Sequence, residues 1–310
     1  MAEMLIAWGG FLLATYAVIS NDAAQTLGTL IASHPRRKIW LWAGASTVLV
    51  GALVFSWHNY DGDISFGRLT RIPEVELDWY YLMAPIGLLI LTRMGAPVST
   101  SFIMLAMFTI TAEDNILESI LTKSGVGYFL AFFVAVMVWG GVGRRLNFKK
   151  PANLRFWRPV QYITTGSLWW FWLSHDVANV AVFLPRQLSE LELVIVCAAM
   201  VGALALLFRE AGGRVHKFVF RGEYNEMDIR VACMVDAIYA VLLFVFKEYN
   251  NVPMSTTWVF VGLMGGREIG RALWMGTRRE GVIAAASRFM VLVGGAAVSL
   301  GLVMVVTLLK

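Results

Sequence analysis

Two short polar motifs each occur twice in this 310-residue chain, in the same order and at nearly the same interval. The first pair is N-D-A-A-Q-T-L-G (21–28) and S-H-D-V-A-N (174–179), whose aspartates Asp22 and Asp176 lie 154 positions apart. The second pair is P-V-S-T-S (97–101) and P-M-S-T-T (253–257), whose first serines, Ser99 and Ser255, lie 156 apart. Recurrence of two motifs in one order at one interval indicates a duplicated architecture. The motifs are also set in apolar sequence: L-W-W-F-W-L (168–173) runs into S-H-D, and V-A-V-F-L (180–184) runs out.

That setting fixes the class. With 58% hydrophobic and 15% charged residues, and apolar runs separated by short charged stretches, the chain reads as a polytopic membrane protein. Spanning lipid restricts a chain to helices or a closed barrel, and long continuous apolar runs mark helices, so the expected fold class is all-α. Glu3 and the absence of basic residues before the first apolar run favour a retained first helix over a cleaved signal. Cys197 and Cys233 stand alone in apolar segments and read as small buried side chains. No basic face with interleaved aromatics appears outside the loops, which argues against nucleic acid as a partner.

Apolar segments are expected at 4–20, 39–57, 79–92, 102–110 and 125–143 in the first half. The second half has the run into Ser174, then 191–208, 231–246, 258–264 and 282–309. Between them lie a basic turn (34–38), an acidic loop (58–78), a polar loop (112–124), a charged loop (209–230) and a basic loop (267–280). The stretch 144–158 carries six Lys or Arg and no acid, and it divides the chain. The domains are therefore a first membrane repeat at 1–143, a basic cytoplasmic linker at 144–159 and a second repeat at 160–310. Segments 79–92 and 102–110 are short of the roughly 20 residues a crossing needs, which suggests broken helices or re-entrant hairpins at the motifs. Five segments per half, an odd number, put the halves in opposite orientations. With both termini outside, 19 of the 26 Lys and Arg fall on inner loops, as the positive-inside rule requires, so an inverted repeat in a cell membrane is expected.

The motif chemistry points to ions. Proline followed by Ser and Thr favours a helix start, and a helix starting in mid-membrane aims free N–H groups at one spot, which suits an oxyanion. The hydroxyls of Ser99, Thr100, Ser255 and Thr256 add hydrogen bonds without fixed charge. Isolated carboxylates in hydrocarbon are costly, and Na⁺ bound by Asp22 and Asp176 would remove that cost, with neutral amides of Asn21, Gln25 and Asn179 beside them. His175 has three roles open to it: donor to the anion, titrating group, or partner of a nearby carbonyl. Arg93 is expected to snorkel to the inner interface, and Asp236 and Arg288 are candidates for an interhelical ion pair. Gly140-Gly141 and Gly265-Gly266 read as helix-packing positions.

Taken together, N-D-A-A-Q-T-L-G and S-H-D-V-A-N resemble the two copies of the G-A-N-D-V-A-N signature of the PiT family of inorganic phosphate transporters. P-V-S-T-S and P-M-S-T-T-W-V-F-V-G are similar to that family's two P-x-S-T-T-H-x-x-x-G segments. The resemblance implies a secondary transporter that moves phosphate with Na⁺, or H⁺ in some members, within the lipid bilayer and often as a homodimer. It implies Asp22 and Asp176 as Na⁺ ligands, with Gln25 as a further candidate. By the same resemblance Asn21, Ser99, Thr100, Asn179, Ser255, Thr256 and Thr257 would line the ion and phosphate site; Ser101 and His175, inside the same motifs, are further substrate-binding candidates, and no covalent cofactor is expected. Gln25 replaces the last Asn of the first copy, His175 replaces an Asn, and Phe102 and Trp258 occupy the family's His positions. These departures leave the anion and the coupling ion open. The alternatives are a sulfate or other oxyanion permease, an intramembrane enzyme using His175 and Asp176, and a structural membrane subunit.

Overall fold

Lipid offers the backbone no hydrogen-bonding partner, and the chain meets that constraint with helices that satisfy their own N–H and C=O groups. The computed structural model describes residues 2–34, 38–95, 97–109, 116–141, 151–210, 227–249 and 254–309, with no strand among them. In chain order the helices are α1 (Ala2–Thr26), α2 (Gly28–Ser33), α3 (Lys38–Asn59), α4 (Met83–Met94), α5 (Thr100–Thr109) and α6 (Ile116–Gly141). They continue with α7 (Leu154–Asp176), α8 (Ala178–Ala181), α9 (Glu190–Arg209), α10 (Ile229–Tyr249), α11 (Thr256–Met275) and α12 (Arg278–Leu309). Short 3₁₀ turns occupy Arg68–Arg71 and Trp79–Leu82.

Six of the described helices, α1, α3, α6, α9, α10 and α12, are long and apolar enough to cross a membrane. The protein is an all-helical polytopic membrane protein. The short segments behave differently. With 12 and 10 residues, α4 and α5 rise only about 18 and 15 Å at 1.5 Å per residue, well under the hydrocarbon thickness of about 30 Å. All ten residues of α5 are buried, so it is an interior helix enclosed by the others.

Three expected boundaries are corrected. Helix α6 begins at Ile116, so the second part of the polar loop 112–124 is helical. Helix α7 begins at Leu154, capped by Asn153, whose side chain accepts from Arg155 N at 3.2 Å, so the end of the basic stretch is helical too. Helix α11 runs on to Met275, through the first part of the basic loop 267–280; there Arg267 is buried and pairs with Glu268 at 3.3 Å. The basic turn at 35–37, Ala96, the first part of the polar loop (112–115), the basic residues of 144–150, the charged loop 211–226 and Pro253 lie outside the described residues.

Helix packing comes in matched sets when the halves are exchanged. Helix α1 packs on α4 and α9, and α7 packs on α10 and α3; α4 lies on α5 as α10 lies on α11; α5 lies on α12 as α11 lies on α6; and α3 packs on α9. The segment between α3 and α4 meets the segment between α8 and α9. Leu188 N donates to Gly62 O at 3.0 Å, Trp57 Nε1 to Leu188 O at 2.7 Å, and Arg186 Nη2 to Ile72 O at 3.1 Å.

The tightest of these contacts, α11 on α6, depends on three glycines one helical turn apart. A Cβ at Gly262 or Gly266 would overlap the carbonyl oxygens of Tyr128 or Phe132, and one at Gly270 would come within 3.0 Å of Val136 O. Close backbone approach of this kind is what small residues provide between membrane helices. Gly265, one position away, has its nearest neighbour at 3.6 Å, an ordinary contact. Gly266→Val is therefore expected to destabilise the protein by roughly 1–3 kcal/mol or more, the cost of overpacking a tight core, while Gly265→Ala stays near wild type. Thermal unfolding in detergent compares the two; equal melting curves would contradict this account of the contact.

Candidate functional site

The motif aspartates sit at corresponding places. Asp22 lies in the last turns of α1 and Asp176 closes α7; each helix is interrupted for one residue, at Leu27 and Val177, before resuming as α2 and α8. Helices α5 and α11 start beside them at Thr100 and Thr256. Each start is capped by the serine before it: Ser99 Oγ accepts from Phe102 N at 3.2 Å, and Ser255 Oγ from Trp258 N at 3.3 Å. Ser99 and Ser255 thus spend their hydroxyls on their own helices, as capping chemistry prefers.

The remaining motif residues join the two aspartates. Thr100 Oγ1 donates to Asp22 Oδ2 at 2.8 Å and accepts from Asn179 Nδ2 at 3.0 Å; Asn179 Nδ2 also reaches Asp176 Oδ1 at 2.8 Å. A hydrogen-bonded path therefore runs from Asp22 through Thr100 and Asn179 to Asp176, all four buried. Further contacts occur in pairs related by the sequence interval. Gln25 Nε2 approaches Asp22 Oδ1 (3.4 Å) and Thr257 Oγ1 (3.3 Å), as Asn179 Nδ2 approaches Asp176 Oδ1 and Ser101 Oγ (3.4 Å). Thr257 Oγ1 donates to Val98 O at 3.1 Å, as Ser101 Oγ donates to Met254 O at 3.3 Å. Ser101 Oγ also lies 3.3 Å from Asp176 Oδ1.

One pair breaks the pattern. Asn21 Nδ2 stays at the centre, donating to Asp22 Oδ1 at 2.9 Å and Val98 O at 2.6 Å. His175, its counterpart, lies with Nε2 2.9 Å from Leu243 O on α10. Of the three roles open to His175, carbonyl partner is the one this geometry uses. Phe102 and Trp258, at the positions where the resembled motif carries His, meet edge to face with ring centroids 5.5 Å apart.

The centre has a surplus of acceptors. The amide oxygens of Asn21, Gln25 and Asn179 are buried without a hydrogen-bond partner, as are Asp176 Oδ2 and the hydroxyl of Thr256. Buried polar atoms are normally paired, so a group of unpaired oxygens around two carboxylates is suited to a hard cation with oxygen ligands. Threonine, serine and glutamine hydroxyl and amide donors are already directed at the carboxylates, which prepares them for charge.

Two other expectations resolve away from the centre. Arg93 is exposed; its Nη2 donates to Tyr16 OH at 2.6 Å and its guanidinium lies 5.5 Å from that ring. Asp236 is paired not with Arg288 but with two hydroxyls, accepting from Thr29 Oγ1 at 2.7 Å and from Thr165 Oγ1. One residue was missed. Arg68, in the acidic loop, is buried and donates from Nε to Ser174 O at 2.7 Å. Burial pulls its guanidinium down to about 10, with Asp176 and Tyr60 pulling it up, so it is a cation at neutral pH. Its one signal was an arginine directly after F-G in a loop otherwise rich in acids. The backbone acceptors Val98 O and Met254 O had no signal at all.

Thr100→Val, which keeps the shape but removes the hydroxyl, leaves Asp22 Oδ2 without its donor and Asn179 without one acceptor. A stability loss of about 1–3 kcal/mol is expected, with Thr100→Ser close to wild type. Melting of the purified variants measures it, and a Thr100→Val protein as stable as wild type would remove the bridge from the account.

No family model matches the sequence, and no curated protein matches it. In fold the chain is similar to a solved structure described as "The sodium-dependent phosphate transporter", at 16% sequence identity and a TM-score of 0.61, covering 100% of both chains.

Proposed function

We propose that this protein is a secondary transporter that imports inorganic phosphate in symport with Na⁺, by alternating access around the Asp22–Asp176 centre. The observation that carries the reading is the hydrogen-bonded path Asp22–Thr100–Asn179–Asp176, surrounded by unpaired acceptor oxygens. Cations bind at that centre, with Asp22 and Asp176 as ligands and the amide oxygens of Asn21, Gln25 and Asn179 completing the shell. The anion binds against the cations and the N-terminal turns of α5 and α11, where Thr100, Ser101, Thr256 and Thr257 lie. Similarity in fold to a sodium-dependent phosphate transporter supports the choice of both solutes.

Two features support an inverted repeat. Helix packing and site contacts recur when the halves are exchanged, and the second connection of the first half meets the first connection of the second half. Two halves threaded in opposite directions bring those connections to one side of the membrane. With two Na⁺ per H₂PO₄⁻, one net charge enters per cycle, and a potential of 100 mV, inside negative, contributes about 2.3 kcal/mol.

The test is labelled phosphate uptake into liposomes holding purified protein, with and without an inward Na⁺ gradient and across pH. Na⁺-driven accumulation is expected in wild type and is abolished by Asp176→Asn in a protein that still folds. Full Na⁺-driven uptake by that variant would sink the assignment of Asp176; uptake driven only by a proton gradient would reassign the coupling ion to H⁺; and preferential uptake of sulfate would reassign the anion.

A further inference from the structure

Arg68 is carried into the interior by a loop with its own internal order. Beyond α3, Asp63 accepts from Ser65 N at 2.6 Å, Ser65 Oγ at 2.7 Å and Gly67 N at 2.9 Å. Ser56, on α3, fastens this turn by donating to Asp63 O at 2.8 Å and accepting from Phe66 N at 2.9 Å. Phe66 and Gly67 then both take left-handed conformations, φ 57° and 72°. Gly67 adopts this region freely, whereas a bulky residue such as Phe66 does so only when its surroundings hold it there. The turn directs Arg68 inward, where it is only 2% exposed.

The guanidinium is incompletely used there. Nε serves Ser174 O, two residues before Asp176, while Nη1 is buried with no hydrogen-bond partner. Arg68 acts on Asp176 electrostatically, but no ion pair forms between them. A buried cation with an unused donor is costly unless an acceptor completes it. The acceptor oxygens of the centre are suited to cations, and the helix starts of α5 and α11 offer an oxyanion beside them only neutral donors. A guanidinium, whose planar fork matches paired oxygens, is well suited to supply charged ones.

We infer that Arg68 is a specificity-determining residue for the transported anion: its Nη groups bind oxygen of a tetrahedral oxyanion on the Asp176 side of the centre, while Nε holds the α7 carbonyl of Ser174. This rests on the oxyanion-transport reading above. A residue that merely capped α7 would disturb Asp176 and the cation site with it, whereas an anion-binding residue changes the anion's KM alone.

The experiment is uptake of labelled phosphate, with sulfate in parallel, by wild type, Arg68→Lys and Arg68→Gln in liposomes at fixed pH. The KM for the anion is expected to rise at least tenfold in Arg68→Gln and at least threefold in Arg68→Lys, with no rise in the Na⁺ concentration for half-maximal rate. An anion KM within twofold of wild type in a folded variant overturns the inference, and so does a parallel rise in the Na⁺ requirement. If Arg68→Gln does not purify as a folded protein, Arg68→Lys, which keeps the charge and a donor for Ser174 O, decides by the same criterion. Wild type that carries sulfate in place of phosphate is judged on its sulfate KM. Wild type that carries neither anion overturns the transport reading itself, and this inference with it.

Discussion

A carboxyl group is among the most expensive side chains a protein can take from water into an apolar interior in its charged form, and this molecule buries two of them beside one network. Asp22 and Asp176 are tolerated because hydroxyl and amide donors converge on their oxygens from three helices, α1, α5 and α8. The rest of the structure follows from that requirement. Helices α5 and α11 begin where they do so that Thr100, Ser101, Thr256 and Thr257 reach the centre, and α5 is wholly buried because its start lies there. The glycines of α11 let it lie directly on the backbone of α6, which fixes the position of that helix start.

Donors and acceptors at the centre are unequally matched, and the mismatch has a chemical direction. The side-chain donors of Asn21, Gln25, Thr100 and Asn179 are directed at a carboxylate, another hydroxyl or a backbone carbonyl, while their unpaired atoms are oxygens. Such a centre accommodates positive charge more readily than negative charge. In the proposed symport an anion joins the centre once cations are bound, which would couple the two solutes.

Much of this was legible in the sequence, because duplication leaves a record that local propensity does not. The intervals between Asp22 and Asp176 and between Ser99 and Ser255 predicted which residues would meet, and Thr100, Ser101, Asn179 and Thr257 do meet around the aspartates. Helix ends were less legible. The sequence around Gly266-Arg267-Glu268 reads as a loop because charges interrupt the apolar run, yet these residues stay helical; Arg267 is buried and paired with Glu268, and Gly266 faces α6. His175 sits inside the motif but turns to Leu243, since nothing in its neighbours in sequence reveals a carbonyl on another helix. Arg68 was hidden for the converse reason: its loop is hydrophilic, and only the fold of the turn at Phe66 and Gly67 brings it inside.

The central claim is that the two aspartates belong to one linked cation site built by both halves. Equilibrium binding of ²²Na⁺ to the purified protein in detergent, comparing wild type with Asp22→Asn and Asp176→Asn, tests it most directly. The account predicts saturable binding in wild type and its loss in either variant alone, since each carboxylate lies in the network the other depends on. Undiminished Na⁺ binding in both folded variants would contradict it.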